Sequence, residues 1–592
     1  MRISNIISFT VAVFCAFALQ GQTIVKDNEH LQAYNALHAE AVYIHHNASL
    51  FLAGEQMYYA VYCVDKATNQ RSILSKMAYV ELVGADGVSV FKHKIRLDSG
   101  IGQGDFFIPT TVPTGNYKLL GYTQWMKNSD TDNFFKSDIN IVNPFQKNRD
   151  LILGEAMSSM VDSMNIIETQ NRNTGPEPQL GGLKILTNGT TYGKRDKVQL
   201  ILQNSSKDKG FGTYSISVRK IGEVSAPEMI RADKFLRESK AISSEQTLND
   251  SIYLPELRGD ILFGRVVSKT TDSLVSNVQV ALSIPGMDYI IKIARTNGEG
   301  VFYFNLDKGT DQNNAYLQIL GEQAKTNKII IGENQFVTLR GLKFNTLEFT
   351  PQMARLLVDR SVHNQIENAY LDVKRDSLLP IYNNKQFYHK YEYEYVLDDY
   401  TRFPTIKEVM LEVVENVWTA KNREGKRELH IRGYDNIPGI KVEPMILVDG
   451  LLLQDHEGIM DIDARKIKKI GLKRNKFRMG PATYIGILAF ETFDGTFHAT
   501  YQNEHIFTHE LFSPLRHKMY YKQNYEQDSS KELDPLPDFR YQLLWTPAYD
   551  LNEGSIPINF YTSDVSGDFE ISVEGITNEG DPVSLRANFT VE

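Results

Sequence analysis

Runs of alternating apolar and polar residues, separated by turn residues, constrain the fold of this chain most strongly. "QMYYAVYCV" begins at Gln56, "KMAYVELV" begins at Lys76, and Ala85–Gly87 supplies a turn after the second run. This period of two predicts β-strands, because successive side chains of a strand point to opposite faces. The 30 Tyr, 30 Phe, 40 Gly and 20 Pro residues also favour many short strands and turns. We therefore predict a mainly β fold.

Length and charge set two further limits. A chain of 592 residues is expected to contain several domains, about four at the usual domain size. The formal net charge of −9 is spread along the sequence and no basic tract stands out, so nothing indicates a nucleic-acid partner.

The N-terminus has the organisation of an export signal. Arg2 supplies a positive charge, Ile6–Leu19 is an apolar stretch of suitable length, and Ala16–Ala18 offers a cleavage site, with cleavage after Gly21 as the alternative. We expect residues 1–21 to be a signal peptide and the mature chain to be exported.

The two cysteines limit covalent cross-linking. Cys15 lies inside the predicted signal, and a lipoprotein signal is disfavoured because Phe14 stands where a small residue is required. Removal of the signal leaves Cys63, so no internal disulfide is expected in the mature chain. No other segment has the length and apolarity of a membrane span, which favours a soluble or peripherally attached protein.

Three strand-rich stretches lie within residues 38–145: "GEQMYYAVYCVD", "MAYVELVGADG" and "GIGQGDFFIPTTVPTGNYKLLGYTQWMKN". Together they resemble the macroglobulin-type β-sandwich of alpha-2-macroglobulin-like proteins and of a group of exported bacterial proteins. That family can trap proteases through a thioester in a Cys-Gly-Glu-Gln motif. Gly-Glu-Gln occurs at Gly54–Gln56 and Gly321–Gln323, but Ala53 and Leu320 precede the triplets, so no thioester is expected.

Two further sandwiches are predicted next. "KILTNGTTYGKRDKVQLILQN" and "GTYSISVRKI" are strand-like and predict a second β-sandwich over 183–255. Gly264–Val266, Asn277–Val280 and Asn297–Phe302 then resemble the opening strand, second strand and closing turn of the carboxypeptidase regulatory-like domain, here over 258–345. That module is a sandwich without peptidase activity, and no set of zinc ligands accompanies it.

Residues 351–400 are predicted to be a helical and Tyr-rich connector. Apolar residues between Met353 and Val373 recur at helical spacing and predict a long helix from Pro351. The segment "FYHKYEYEYVLDDYTRF" follows. It is either an exposed aromatic face or a packed inter-domain segment, and the packed alternative is favoured.

The apolar stretch "EPMILVDGLLL", Glu443–Leu453, belongs to a longer pattern over 401–500. An amphipathic helix is predicted over 405–418 and a strand over 427–435. The other elements of the pattern are Ile431–Gly433, Pro444–Gly450, Ile462–Ile470 and Gly486–Gly495. In this order they resemble the plug domain of TonB-dependent outer-membrane receptors, here without a β-barrel of its own.

The plug resemblance gives Arg432, Gly433, Asp449 and Gly450 structural roles. Asp449 and Gly450 are expected to form a turn between two strands, because both residue types suit turn conformations. A catalytic Asp449 would need a partner acid, a base or a metal set, and the nearby aspartates form no recognised motif.

Residues 515–592 are predicted to form a C-terminal macroglobulin-like sandwich, because "DFRYQLLWTP" and "FYTSDVSGDFEISVEGIT" resemble the usual ending of that group. The predicted fold is thus mainly β, with tandem sandwiches, a helical connector and a small α+β plug-like domain. This order resembles a family of exported, barrel-less macroglobulin and plug proteins associated with the outer membrane of Gram-negative bacteria.

Histidine pairs are the obvious candidates for a metal site. His45 and His46 are adjacent, so they are expected to point to opposite faces of a strand. His505 and His509 are four residues apart, but their surroundings favour a loop or a strand over the helix that a zinc motif needs. No nucleophile elbow, Walker loop or dinucleotide fingerprint is present. We therefore assign no catalytic, cofactor or metal residue and expect no enzyme activity.

A basic run offers a candidate interaction surface. It is either a solvated face of helix and strand, or a docking patch for an acidic partner or anionic headgroups. Its members are Lys466, Lys468, Lys469, Lys473, Arg474, Lys476 and Arg478.

These features predict a non-catalytic exported scaffold that is periplasmic and peripheral to the outer membrane. The family resemblance implies a protein partner there, either a β-barrel receptor or the machinery that assembles or exports outer-membrane proteins. The alternatives are a macroglobulin-like protease-binding protein without a thioester, a binding protein for nutrient uptake, and a carbohydrate- or peptide-processing enzyme. The sequence leaves open which partner binds and whether the protein faces the periplasm or the cell surface.

Overall fold

A computed structural model gives the fold in two compact units. It describes residues 38–146, 182–206, 209–222, 226–242, 253–286, 288–307, 309–310, 312–332, 341–345, 351–380, 387–388, 390–422, 425–434, 442–460, 462–526, 536–552 and 557–592, so the predicted signal peptide lies outside the described residues. The mixed unit contains the described residues within Asp260–Phe336 and Pro380–Ser513. The sandwich unit contains those within Thr23–Gly259, Val337–Leu379 and Pro514–Glu592.

The described residues form 32 strands. The first sixteen are β1 Glu40–His46, β2 Leu50–Leu52, β3 Gln56–Asp65, β4 Met77–Gly84, β5 Ser89–Arg96, β6 Ile101–Phe107, β7 Gly115–Tyr122, β8 Phe135–Val142, β9 Leu183–Thr187, β10 Thr191–Tyr192, β11 Lys197–Asn204, β12 Gly212–Lys220, β13 Asp260–Ser268, β14 Gln279–Ile284, β15 Ile290–Arg295 and β16 Val301–Leu306. The others are β17 Asn314–Ile319, β18 Asn327–Ile331, β19 Ser377–Leu378, β20 Tyr393–Val396, β21 Val417–Lys421, β22 Arg427–Ile431, β23 Met445–Val448, β24 Leu451–Leu453, β25 Ile467–Met479, β26 Ala482–Thr492, β27 Ile506–Glu510, β28 Lys518–Met519, β29 Gln542–Leu551, β30 Ile558–Tyr561, β31 Gly567–Thr577 and β32 Pro582–Val591.

Helices are few by comparison, which confirms the predicted mainly β fold. In the described chain they are α1 Ala232–Ala241, α2 Pro351–Ala369, α3 Ile406–Glu412, α4 His456–Met460 and α5 Phe497–Thr500. The long helix predicted from Pro351 is present as α2. Among these described helices, none combines the length and the apolar character that crossing a bilayer requires.

The first β-sandwich is built from β1–β8. One sheet has the strand order β1-β3-β6 and the other has the order β2-β8-β7-β4-β5. β3 alternates between partial and full burial at its start and is then buried on both faces. The second burial arises because side chains of α1 and of the C-terminal strands, among them Leu236 and Trp545, join the same core.

The segments predicted as two separate sandwiches, 183–255 and 515–592, form one sandwich, so that prediction was wrong. β12 lies between β29 and β31, β11 pairs with β30, and β10 pairs with β32. The resulting sheets have the orders β10-β32-β31-β12-β29 and β30-β11-β9. Each segment alone would leave its apolar face uncovered, whereas together they enclose one core that includes Leu200, Phe560 and Phe569.

The predicted connector, 351–400, is divided between the two units and is not a single element. In the sandwich unit, Met353 and Leu357 of α2 pack with Leu50 and Leu52 of β2. The Tyr-rich part belongs to the mixed unit, where it supplies β20.

The mixed unit begins with a sandwich whose sheets have the orders β16-β13-β18 and β15-β14-β17-β27. β27 pairs with β17, so that Phe507 lies opposite Leu317. The sandwich therefore extends beyond the predicted boundary of 258–345, because a strand more than 150 residues further along the chain completes its larger sheet.

The remainder of the mixed unit, the described residues of 387–500, is an α/β module. Its main sheet has the order β20-β25-β26-β23-β24, with β23 parallel to β26. Ile446 and Val448 of β23 join the core beneath α3 and α4. Met445 and Leu447 point to the other side and pack with residues of β14 and β15. This double burial explains why all four residues of β23, Met445–Val448, are apolar, because a strand covered on both faces has no polar face.

The helix expected over 405–418 is shorter in the structure, where α3 ends at Glu412. Thr405 and Glu408 form a capping box that starts it. Asn416 has a φ of 62°, and the chain then enters β21 at Val417. Asn tolerates the left-handed conformation and the β-branched valines that surround it favour extended structure, so the second half of the predicted helix is a turn and a strand.

Candidate functional site

The basic run lies along β25 but does not form one continuous surface. The members that are exposed and have no ion pair within the described chain are Lys466, Lys468, Lys476 and Arg478. Lys469 forms an ion pair with Glu491 at 3.1 Å, Lys473 donates to the backbone carbonyl of Tyr388 at 2.6 Å, and Arg478 donates to a carbonyl of its own turn. Two register shifts in β25 redirect the side chains, so a uniform docking patch is not formed.

Arg474 lies in the second of these irregular stretches, between the paired residues Lys473 and Lys476. Its Nε donates to the carbonyl oxygen of Arg432 at 2.7 Å, and its guanidinium carbon lies 4.3 Å from the centre of the Tyr434 ring. This geometry is a cation–π contact held in place by a backbone hydrogen bond.

Glu392 completes this cluster from the neighbouring edge of the sheet. It lies 3.7 Å from Arg474 and accepts a hydrogen bond from the hydroxyl of Tyr434. The hydrogen bond to Glu392 raises the pKa of Tyr434, so the phenol stays protonated. Three residues that are distant in sequence thus form one cluster, in which Tyr434 is exposed and the Arg474 and Glu392 side chains are largely covered.

Gly433 allows the chain to pass close to β25 and β26. A Cβ atom at this position would lie 2.6 Å from Ile485 Cγ1 and 3.2 Å from the carbonyl oxygen of Arg474. Because glycine has no Cβ, the backbone can sit against the sheet while the residues on either side, Arg432 and Tyr434, are exposed. No carboxylate of the described residues forms an ion pair with Arg432.

Trp418 extends the cluster along the β21–β22 hairpin. It lies opposite His430, and the two rings stack with centroids 5.5 Å apart. Its side chain is 44% exposed, whereas Trp125 and Trp545 are only 2% and 3% exposed. Val417 and Ile431, one position away on the hairpin, are buried, so the hairpin has one core face and one exposed aromatic face.

We call this surface the aromatic–cationic strip. Its members are Tyr393, Trp418, His430, Arg432, Tyr434 and Arg474, with Glu392 as the acid held among them. Sequence analysis assigned Arg432 to the plug-like pattern and Arg474 to the basic run. The structure brings these two residues together. The aromatic members were missed, although the spacing of two from His430 to Arg432 was a signal for an exposed extended face.

Asp449 and Gly450 form the two-residue turn of the β23–β24 hairpin. Their φ angles of 47° and 81° are those of a type I′ turn. The Asp449 carboxylate accepts hydrogen bonds from the Thr492 backbone N–H at 2.8 Å, the Thr492 hydroxyl at 2.5 Å and the Phe497 N–H at 3.0 Å. The carboxylate is therefore engaged in fixing the loop that follows β26.

The Tyr-rich segment is packed in its first half and partly exposed in its second. Tyr388 and Tyr391 are buried and form a chain of hydroxyl hydrogen bonds with Tyr289, with oxygen–oxygen distances of 2.7 Å and 2.5 Å. Tyr393 and Tyr400 are 36% and 44% exposed. The packed alternative therefore describes the first half of the segment, and the exposed aromatic alternative describes part of the second half.

The first Gly-Glu-Gln triplet anchors helix α2. Glu55 forms a bidentate ion pair with Arg360 at 2.6 Å, and Arg219 lies 3.4 Å away. Burial opposes ionisation of Glu55, but the two arginines outweigh burial and hold its pKa below the usual value. Asn368 donates to the Gly54 carbonyl at 2.9 Å. The triplet is therefore a structural clamp.

His45 and His46 point to opposite sides of β1, as expected for adjacent strand residues. His45 lies between the hydroxyls of Ser215 and Ser572, at 2.6 Å and 3.1 Å, and His46 contacts the Ser137 hydroxyl at 2.9 Å. Burial lowers the pKa of His45 well below its usual value and that of His46 to about 4. Both imidazoles are neutral parts of the core at neutral pH.

His509 lies on β27, in agreement with the expectation of a loop or strand, and His505 immediately precedes that strand. Within the described ranges, no three His, Cys, Asp or Glu side chains are placed to share a metal ion. Cys63, the cysteine of the described chain, is buried, and burial raises the pKa of its thiol.

No family model and no curated protein matches the sequence. Similar solved structures include Salmonella alpha-2-macroglobulin reacted with methylamine, at 10% identity and a TM-score of 0.23, with 93% of this chain and 39% of that chain covered. Another is Escherichia coli alpha-2-macroglobulin activated by porcine elastase, at 9% identity and a TM-score of 0.24, with 93% and 44% covered. Dimeric latent PorU from Porphyromonas gingivalis aligns at 8% identity and a TM-score of 0.15, with 50% and 33% covered.

The chain spans about two fifths of the length of the two macroglobulins it matches. At TM-scores this low, the likenesses carry no argument about the arrangement of the domains or about activity.

Proposed function

We propose that this protein is a non-catalytic, exported scaffold that binds a protein partner at the outer membrane through its α/β module. The partner is an outer-membrane β-barrel protein or a component of the machinery that assembles or exports such proteins. The observation that carries the proposal is the aromatic–cationic strip, because Trp, Tyr and Arg are the residues that contribute most to protein interfaces when they become buried there.

The roles of the other polar groups support this proposal. Asp449, Glu55, His45 and His46 each make close contacts that stabilise the fold. The strip differs because Trp418 and Tyr434 remain 44% and 58% exposed. Aromatic rings of this size gain a favourable burial free energy when a partner covers them.

The test is purification of the tagged full-length protein from its native membranes in mild detergent, followed by mass spectrometry. We expect one outer-membrane protein in stoichiometric amount. Lys407→Glu, at an exposed position of α3 that is not a member of the strip, is the control variant and should retain that partner. A protein that purifies alone under conditions that keep membrane complexes intact would contradict the proposal.

A further inference from the structure

We infer that the aromatic–cationic strip binds an extended, acidic segment of a partner protein. This inference rests on the proposed function for the partner being a protein, and it adds the surface and the chemistry of the segment. Three features of the strip carry it: an excess of positive charge, flat exposed rings, and a linear arrangement.

The excess of positive charge is local. Arg432 is exposed without an ion pair among the described residues, and Lys476 and Arg478 are exposed further along β25. Two acids adjoin the strip and both are engaged: Glu392 contacts Arg474 and Tyr434, and Glu428 accepts from the Asn422 side chain at 3.0 Å and lies 3.8 Å from His430. A ligand that complements this surface must therefore bring carboxylates of its own.

The exposed rings provide contact area beside those cations. Trp418 is fixed by stacking on His430, and Tyr434 is fixed between Arg474 and Glu392. Side chains that are already ordered lose little conformational entropy when they bind, so apolar side chains of a ligand gain burial at low entropic cost.

The arrangement of the strip matches an extended ligand. His430 and Arg432 occupy alternate positions of one extended segment, because the Arg432 N–H still donates to the Asn416 carbonyl at 2.9 Å, and alternate residues of extended chains are about 6.6 Å apart. The Gly433 N–H donates to the Ile431 carbonyl at 3.1 Å, which turns the chain before Tyr434. An extended peptide presents alternate side chains at the same repeat. Carboxylates two residues apart in the ligand would therefore meet successive positions of the strip.

Net charge favours a short acidic segment over a polyanion. The whole chain carries a formal charge of −9, which repels nucleic acid and anionic membranes over long range. A short segment needs only local complementarity and is attracted within the screening length, about 8 Å at physiological salt.

The fluorescence of Trp418 provides a direct assay, because Trp125 and Trp545 are buried. The probe is a capped peptide of about eight residues with alternating Glu and Val, and its control has Lys in place of each Glu. We expect a saturable change in emission with the Glu peptide, no change with the Lys peptide, and loss of the signal in Trp418→Phe. Affinity should fall at least about tenfold in Arg432→Glu and stay unchanged in Lys407→Glu.

Three results would overturn the inference: no saturable change with the Glu peptide, equal affinity in Arg432→Glu and wild type, or an Arg432-dependent change with single-stranded DNA or phosphatidylglycerol vesicles in place of the peptide. The native purification separates this inference from the proposed function. A partner that is captured equally by Arg432→Glu and by wild type would leave the scaffold role standing and would contradict the strip as its binding surface.

Discussion

Two dipeptides of the α/β module, Arg432-Gly433 and Asp449-Gly450, look alike in sequence and act differently in the structure. Each places a charged residue and a glycine directly after a strand, β22 in the first case and β23 in the second. Asp449 is buried and its carboxylate accepts three hydrogen bonds, whereas the side chain of Arg432 is exposed. The difference shows that the surroundings of a strand end, and not its local sequence, decide whether a charge stabilises the fold or faces a partner.

The two glycines differ for related reasons. Gly450 is required by the backbone, since its φ of 81° is unfavourable for other residues. Gly433 is required by space, because a Cβ would collide with Ile485. Substitutions at and around these positions therefore separate contributions to stability from contributions to binding.

The largest expected effect on stability follows from Asp449→Ala. The substitution leaves the Thr492 N–H and the Phe497 N–H without their charged acceptor, while the Thr492 hydroxyl keeps Asp494 at 2.7 Å, and we expect the free energy of unfolding to fall by about 4 kcal/mol. Urea denaturation of the full-length protein measures the change. Asp399→Ala, at an exposed position of the same unit, is the control and should change the free energy by less than about 0.5 kcal/mol. A loss below about 1 kcal/mol for Asp449→Ala would contradict its role.

A decrease in pH should have the next largest effect on the free energy of unfolding. It acts through buried titratable groups and not through the strip. Burial lowers the pKa of His46 to about 4 in the folded protein, from 6.5 in the unfolded chain. Between these values the unfolded chain binds a proton that the folded protein does not, so stability falls as pH decreases from 6.5 towards 4, by about 3 kcal/mol for this residue.

Urea midpoints across this pH range for the wild type and His46→Gln measure the effect. The variant should lose less stability over the range than the wild type, because it lacks the titrating group. Parallel pH profiles for the two proteins would show that His46 does not contribute to the acid sensitivity.

Gly433→Ala should have an intermediate effect. The added Cβ has to displace Ile485, and overpacking of this kind costs about 2 kcal/mol. Gly115→Ala is the matched control, because the nearest atom to a Cβ at that glycine is 3.6 Å away. Thermal unfolding of the two variants provides the comparison, and equal melting temperatures would contradict the close approach at Gly433.

The smallest effect on stability is expected for the strip itself. Trp418→Ala and Arg432→Glu each alter an exposed side chain and should change the free energy of unfolding by less than about 0.5 kcal/mol. The same urea titrations measure it. A loss above about 1.5 kcal/mol would show that these side chains stabilise the fold, as Asp449 does, and would contradict the proposed difference between the two dipeptides.

Patterns among neighbouring residues predicted the elements whose conformation depends on residues close in sequence. The period of two predicted the mainly β fold, the spacing of apolar residues predicted α2, and Asp449-Gly450 was correctly expected to lie in a turn between strands. These outcomes depend on residues that are close in sequence.

Local sequence patterns did not predict which strands pair when the strands are far apart in the chain. The strands of 183–220 carry no signal that identifies their partners beyond residue 540, so one sandwich was predicted as two. The basic run was treated as one surface because register shifts in a strand leave little trace in composition.

The strip was missed for a more specific reason. Trp418 fell within the helix predicted over 405–418, where it was counted as part of an amphipathic face. The turn at Asn416 places it on a hairpin instead, with its ring exposed. Contacts between Arg474 and Tyr434, forty residues apart, arise only after the sheet has formed.

Site-specific photo-crosslinking in the native cells tests the central claim most directly. A photoreactive residue is placed at position 418 of the full-length protein and, as the matched apolar control, at position 73, where Ile73 is 75% exposed in the sandwich unit. We expect one dominant adduct from position 418, loss of that adduct when Arg432→Glu is added, and no such adduct from position 73. Adducts of equal yield from both positions, or an adduct from position 418 that persists with Arg432→Glu, would contradict that claim.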